Sequence, residues 1–297
     1  MKRDGHDIRV WVLLTTVYVV WGSTYLGIGI VIETMPPFVS GGIRFVVAAA
    51  ILGTFLLIRK GPEAFRMTRR EFLDAAVVGL LLLTGGNGMV AVAEQHISTG
   101  LAALLVASTP LWLVIMRTIF RDRPHVLTLT GVLIGFLGVA GISLTGGTSG
   151  GTIGVVVILI ASFSWAVGSF MSGRAPMPKN PFAASTVEMV VGGAGLLVGS
   201  VLAGEHFVPA EVSARSWWAL VYLIVVGSLI GFTSYVWLLG NAPISLVSTY
   251  AYVNPVVAVA LGMIILGETV TTMMVAAGLV IVAGVALVVS TERKRVS

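Results

Sequence analysis

Runs of about 20 apolar residues recur along the whole chain, and few folds can accommodate them. Reading between charges, prolines and glycine clusters gives ten candidate spans: 10–32, 39–58, 72–93, 101–120, 127–143, 153–172, 183–203, 217–239, 246–266 and 273–289. Ten spans of about 20 residues occupy roughly 200 positions, so a chain of 297 has only loops and tails left over. Soluble domains carry roughly a quarter charged residues. With 10% charged residues and a mean hydropathy of +1.00, this chain could not cover a water-exposed surface. Soluble enzymes and soluble nucleic-acid binders are therefore excluded. The first run follows Met1-Lys2-Arg3 and ends in Glu33-Thr34-Met35-Pro36-Pro37. It is too long for a signal-peptide core and has no small-residue cleavage site, so it reads as a retained helix. Cysteine is absent, which removes disulfide and thiolate chemistry.

Orientation follows from the basic residues. With ten spans and a cytoplasmic N-terminus, sixteen of the 18 Lys and Arg fall on the cytoplasmic side, Arg215 falls outside and Arg44 lies within a span. That asymmetry is the positive-inside signal. It predicts both termini in the cytoplasm, and it explains the basic isoelectric point without a polyanionic partner.

A shift of 144 residues places Trp21 on Trp165, Phe38 on Phe182 and Val46-Val47 on Val190-Val191, and a shift of 145 places Pro110 on Pro255. Five spans per half is an odd number, so the second half enters the membrane with opposite polarity. The expectation is two inverted repeats, 1–146 and 147–297, with a site near the midplane. Chance likeness between Leu/Val/Gly-rich helices is the alternative.

The segments VVWGSTYLGI (19–28), GGIRFVVAAAIL (41–52), STGLAALLVASTPLWLVIM (98–116) and SLVSTYAYVNPVVAVALGMIILGE (245–268) resemble the drug/metabolite transporter superfamily, and within it the EamA-type permeases. The resemblance spans nearly the whole chain. It implies a ten-helix exporter of the bacterial inner membrane with a central cavity lined mainly by helices 1, 3, 4, 6, 8 and 9. The Gly267-Glu268 that closes the ninth span is Asp122-Arg123 in the first half, so a role for that glutamate does not carry over to the first repeat.

Candidate site residues are the polar and aromatic ones at mid-span. Tyr18, Trp21 and Tyr25 share one face of the first helix, and Ser162, Trp165 and Ser169 hold equivalent places on the sixth. They line a cavity or pack helices together. Thr84 and Asn87 on the third helix stand opposite Tyr235 on the eighth, as substrate contacts or interhelical glue. Pro110 and Pro255 remove backbone hydrogen bonds at corresponding depths, which suits hinges. They make Ser108, Trp112, Tyr252 and Asn254 candidate contacts.

Arg44 and Glu188 are the charges within spans. Each stands about 7 Å below an opposite surface, which separates them by about 15 Å and precludes a direct pair. The expected partners are Glu33 or Glu94 for Arg44 and cytoplasmic basic residues for Glu188. Anchoring and gating or proton linkage are both open to these two charges. All four histidines lie in tails or loops, so neither a metal site nor a cofactor is expected. No nucleophile–base constellation emerges, and the chain reads as a non-enzyme.

The leading function is a secondary transporter of the cytoplasmic membrane that exports amino acids or related neutral and zwitterionic solutes. A proton-coupled exporter of drugs or lipophilic cations is the alternative. Its partners are membrane lipids and a small-molecule substrate, with no nucleic acid, and it is a monomer or a homodimer.

Overall fold

The helix boundaries are written in short local signals. Pro37 occupies the first turn of a helix, where its missing N–H costs nothing. Thr68 and Glu71 form a reciprocal capping box. Ser98, Asn180 and Ser213 cap three further helices through their side-chain oxygens. Gly267, at φ 67°, takes the left-handed conformation that closes another.

The computed structural model describes residues 8–120, 125–145 and 149–296. Among these there are helices and no strands. They are α1 (Ile8–Val31), α2 (Pro37–Lys60), α3 (Arg69–Ala93), α4 (Thr99–Ile119), α5 (Val126–Thr145), α6 (Ser149–Ser172), α7 (Pro181–Leu202) and α8 (Ala214–Asn241). Then come α9, which is Tyr250–Leu261 continued by a π-helical turn Gly262–Leu266, and α10 (Thr272–Val296). Seven of them, α1–α4 and α6–α8, are long and apolar enough to cross a membrane. The shorter apolar stretches Val126–Gly141, Val253–Leu266 and Thr272–Val288 lie in α5, α9 and α10.

Leu133, Leu137, Val201, Leu202, Ile264 and Leu279 all stand exposed on the outside of the bundle. So much outward apolar surface is stable only against lipid. This is a multi-pass membrane protein. Of the residues behind the orientation argument, Lys2, Arg3, Arg121 and Arg123 lie outside the described residues, as does Asp122.

Two spans are less regular than the apolar runs predict. The fourth breaks at Ala107–Ser108 into Thr99–Val106 and Thr109–Ile119. The ninth begins as a short turn, Ile244–Val247, and restarts at Tyr250. Both α3 and α8 widen at mid-length into π-helix, at Leu80–Gly88 and Leu223–Phe232.

The main helix contacts are α5 with α10, α2 with α7, α1 with α8 and α9, and α6 with α3 and α4. Glycines set several of these approaches. A Cβ on Gly284 would fall 2.4 Å from the backbone nitrogen of Gly135, so α5 and α10 touch backbone to backbone.

Candidate functional site

Five helices leave a central cavity. Trp21, Thr24, Tyr25 and Ile28 line it from α1, Gly86, Asn87 and Val90 from α3, and Val106 from α4. Ala161, Ser162 and Trp165 of α6 and Tyr250 and Asn254 of α9 complete the wall. The spacing 21, 24, 25, 28 is one face of an α-helix. The α3 residues come from its π-helical stretch and the turn after it.

Each indole needs a glycine behind it. A Cβ on Gly231 of α8 would meet Trp21 Nε1 at 2.8 Å, and one on Gly86 of α3 would meet Trp165 Cε3 at 2.7 Å. The two tryptophans then meet edge to face with centroids 5.2 Å apart. Tyr235 packs beneath both, 4.6 Å from Trp21 and 5.5 Å from Trp165, and Tyr250 closes the cluster 5.3 Å from Trp21. Hydrogen bonds fix its orientation. Trp165 Nε1 donates to Tyr235 Oη at 3.1 Å, and Ser169 Oγ lies 2.6 Å from the same oxygen.

Six sequence-predicted residues line the cavity: Trp21, Tyr25, Asn87, Ser162, Trp165 and Asn254. The others are placed elsewhere. Tyr18 hydrogen-bonds Thr249 and ties α1 to α9. Thr84 donates to the Gly192 carbonyl at 2.8 Å, fastening α3 to α7. Ser108 stands 3.1 Å from Ser162 Oγ, behind the wall, with Thr109 at 3.0 Å from the same atom. Trp112 packs edge-on against Phe136 and Phe163. Ser169 and Tyr235 support the indoles from below. The side chain of Tyr252 lies outside the described residues. Pro110 sits in the first turn after the break in α4, whereas Pro255 lies inside α9.

The two intramembrane charges have other surroundings than expected. Arg44 is 3% exposed and donates through Nε to Ser228 at 2.8 Å and through Nη1 to the Asn87 carbonyl oxygen at 3.1 Å. Neither Glu33 nor Glu94 pairs with it, because Glu33 faces Arg215 at 3.5 Å and the Glu94 carboxylate has no hydrogen-bond partner. Glu188 is fully buried, and both its oxygens lack a hydrogen-bond partner, so the expected basic neighbours are not its ligands. The two charges do stand apart. The backbone of Glu188 lies against Gly79, eight positions along α3 from Asn87.

The model of the EamA-like transporter family matches residues 9–144 and again 152–290. The chain belongs to the EamA-like transporter family. It is 40% identical to the uncharacterized inner membrane transporter YedA of Escherichia coli strain K12 over 259 residues, 86% of this chain and 82% of that one. It is 25% identical to the uncharacterized transporter YvbV of Bacillus subtilis, covering 94% and 91% of the two chains. A plant relative, the chloroplastic WAT1-related protein At3g02690 of Arabidopsis thaliana, is 23% identical over 94% of this chain and 69% of its own. A crystal structure with 19% identity has the same fold, with a TM-score of 0.70 over 96% of this chain and 98% of that one.

In this EamA-like transporter the sequence alone did not single out Thr24, Ile28, Gly86, Val90, Val106, Ala161 or Tyr250 as lining residues. Tyr250 was the accessible one: it stands four places before Asn254 and shares its helix face. The apolar four carry no signal, since they match every other position of their spans. The finished wall is aromatic and apolar with amide and hydroxyl groups at a few points, the usual make-up of a small-molecule site.

Proposed function

We propose that this chain is a secondary transporter of the cytoplasmic (inner) membrane that exports amino acids or related neutral and zwitterionic solutes by alternating access. Its ten helices cross the bilayer as two inverted five-helix repeats, 1–146 and 147–297, with both termini in the cytoplasm. Membrane lipid and a small solute are its partners, and Pro110 and Pro255 are its hinge positions.

The observation that carries the substrate class is the lining itself: aromatic rings, hydroxyls and two carboxamides, with no charged side chain among them. Such a wall suits a solute whose charges cancel. The inverted repeat is supported by the contact pattern. Exchanging each helix with the one five places on converts α1–α8 into α6–α3, α1–α9 into α6–α4 and α2–α8 into α7–α3, all of which are in contact. It also carries the pair Trp21–Gly231 into Trp165–Gly86, and the π-helix of α3 into that of α8.

Counterflow in proteoliposomes tests the mechanism. A carrier preloaded with unlabelled L-amino acid accumulates the labelled form transiently, whereas a pore only equilibrates it. Trp21→Ala and Trp165→Ala are expected to lower the counterflow rate while the protein still inserts. Unchanged rates in both variants refute the cavity assignment.

One observation favours the second reading, proton-coupled export of cations. Glu188 is wholly buried and unpartnered, and an ionisable group in that position is a candidate proton carrier. Glu188→Gln separates the readings. Loss of cation efflux with a folded protein supports proton coupling, and unimpaired amino-acid counterflow supports the leading one.

A further inference from the structure

Arg44 is a cation with no counter-ion among the described residues. No carboxylate among the described residues forms an ion pair with it. Glu188 packs against Gly79, eight positions along α3 from Asn87, and Glu94 lies seven positions beyond Asn87 on the other side. Its hydrogen-bond partners, Asn87 and Ser228, are neutral and stand on the π-helical stretches of α3 and α8, and its guanidinium lies 4.7 Å from the centre of the Phe45 ring. An uncompensated charge inside a membrane bundle is costly, and such residues mark functional sites.

The guanidinium lies directly behind the cavity wall. A Cβ on Gly227 would fall 2.8 Å from Arg44 Nη2 and 3.0 Å from a Thr24 methyl, so these two side chains are neighbours. Thr24 and Asn87 both line the cavity. Asn87 turns its carbonyl oxygen to Arg44, which leaves both N–H donors of its amide for a ligand.

Asn254 is assigned the other way by its surroundings: two backbone carbonyls, of Tyr18 and Tyr250, face one end of its amide. With the nitrogen placed there it donates to them at 3.0 and 3.2 Å, and its own carbonyl oxygen is left as an acceptor. Trp21 and Tyr250 line the same cavity, and aromatic rings also attract cations.

We infer that the cavity is polarised to hold an α-amino acid in one orientation: its carboxylate on Asn87, as the counter-ion of Arg44, and its ammonium on the carbonyl oxygen of Asn254. The assignment rests on the amino-acid reading of the cavity and adds to it a direction and a charge requirement. Asn87 touches the ligand, and Arg44 is a positioning residue that fixes the amide and supplies the positive field.

Three probes with one side chain test it on the purified full-length protein by calorimetric titration: L-leucine, L-leucinamide and 4-methylpentanoate. L-Leucinamide lacks the carboxylate and is expected to bind at least about tenfold more weakly than L-leucine, since a charge-assisted contact is lost. 4-Methylpentanoate lacks the ammonium and is also expected to bind more weakly than L-leucine. In Asn87→Asp the new carboxylate neutralises Arg44 from within. L-Leucine affinity then falls about tenfold while L-leucinamide affinity holds or rises.

The wild-type comparison needs no variant to fold. Equal affinity for L-leucine and L-leucinamide overturns the polarity, as does an equal loss of both in Asn87→Asp. L-Leucine counterflow with no discrimination against L-leucinamide would sink the polarity and leave the transporter reading intact. If none of the probes binds, both fail.

Discussion

Tyr235→Phe separates hydrogen bonding from packing beneath the cavity. The substitution keeps the ring, which lies 4.6 Å from Trp21, 5.5 Å from Trp165 and 5.9 Å from Tyr250, and removes only the hydroxyl. That hydroxyl accepts the 3.1 Å bond from Trp165 Nε1 and lies 2.6 Å from Ser169 Oγ. Ser169 keeps its 2.8 Å bond to the Trp165 carbonyl, whereas the Trp165 indole N–H and the Tyr250 side chain each lose their hydrogen bond to that hydroxyl. Leaving one buried donor unsatisfied costs about 1–3 kcal/mol. Tyr235→Ala also loses the three ring contacts, at about 0.5–1.5 kcal/mol each, and opens a cavity, so its cost is about 3–5 kcal/mol. Denaturant unfolding in detergent micelles measures both, and a Trp165→Phe/Tyr235→Phe cycle isolates the pair with a coupling of about 1 kcal/mol. Counterflow should fall in Tyr235→Phe, because the released Trp165 indole no longer holds one position in the wall. A Tyr235→Phe protein as stable and as active as wild type would refute the reasoning.

Two further outcomes follow from contacts elsewhere in the bundle. Glu268 receives the backbone N–H groups of Thr99 and Gly100 at 2.7 and 3.1 Å, a carboxylate on the first turn of α4. Glu268→Ala should lower stability by about 1–3 kcal/mol, with Glu268→Gln losing less; equal thermal denaturation of all three proteins would contradict the cap. Gly284→Ala places a methyl 2.4 Å from Gly135 N and 2.7 Å from Gly131 O. It should force α5 and α10 apart at about 1–3 kcal/mol, and an unchanged unfolding midpoint would show that the helices give way freely.

How far the sequence could be read depended on the kind of question. Apolar runs and sparse charge mark a membrane protein because hydrocarbon admits only helices whose backbone groups are satisfied internally. Trp21, Asn87, Trp165 and Asn254 stood out because a polar or aromatic group in the middle of an apolar helix needs a partner. Tyr18, Thr84, Ser108, Trp112, Ser169 and Tyr235 stood out equally well, yet they turn toward a neighbouring helix or sit below the wall. One helical step rotates a side chain by about 100°, and the π-helical stretches of α3 and α8 shift that register again. Periodicity therefore selects a face without saying what faces it.

The charges make the same point. Counting residues put Arg44 and Glu188 near opposite surfaces and correctly kept them apart, but it assigned both the wrong surroundings. Their true neighbours are distant in sequence: Ser228 is 184 positions from Arg44. The sequence by itself determined the solvent this chain folds in, its helical class and its transporter family, because these rest on composition, apolar run length and motif. Only the tertiary structure decided which polar groups share the cavity, that Asn87 turns its carbonyl oxygen to Arg44 and that no carboxylate among the described residues pairs with Arg44. Those depend on how helices far apart in the chain are brought side by side.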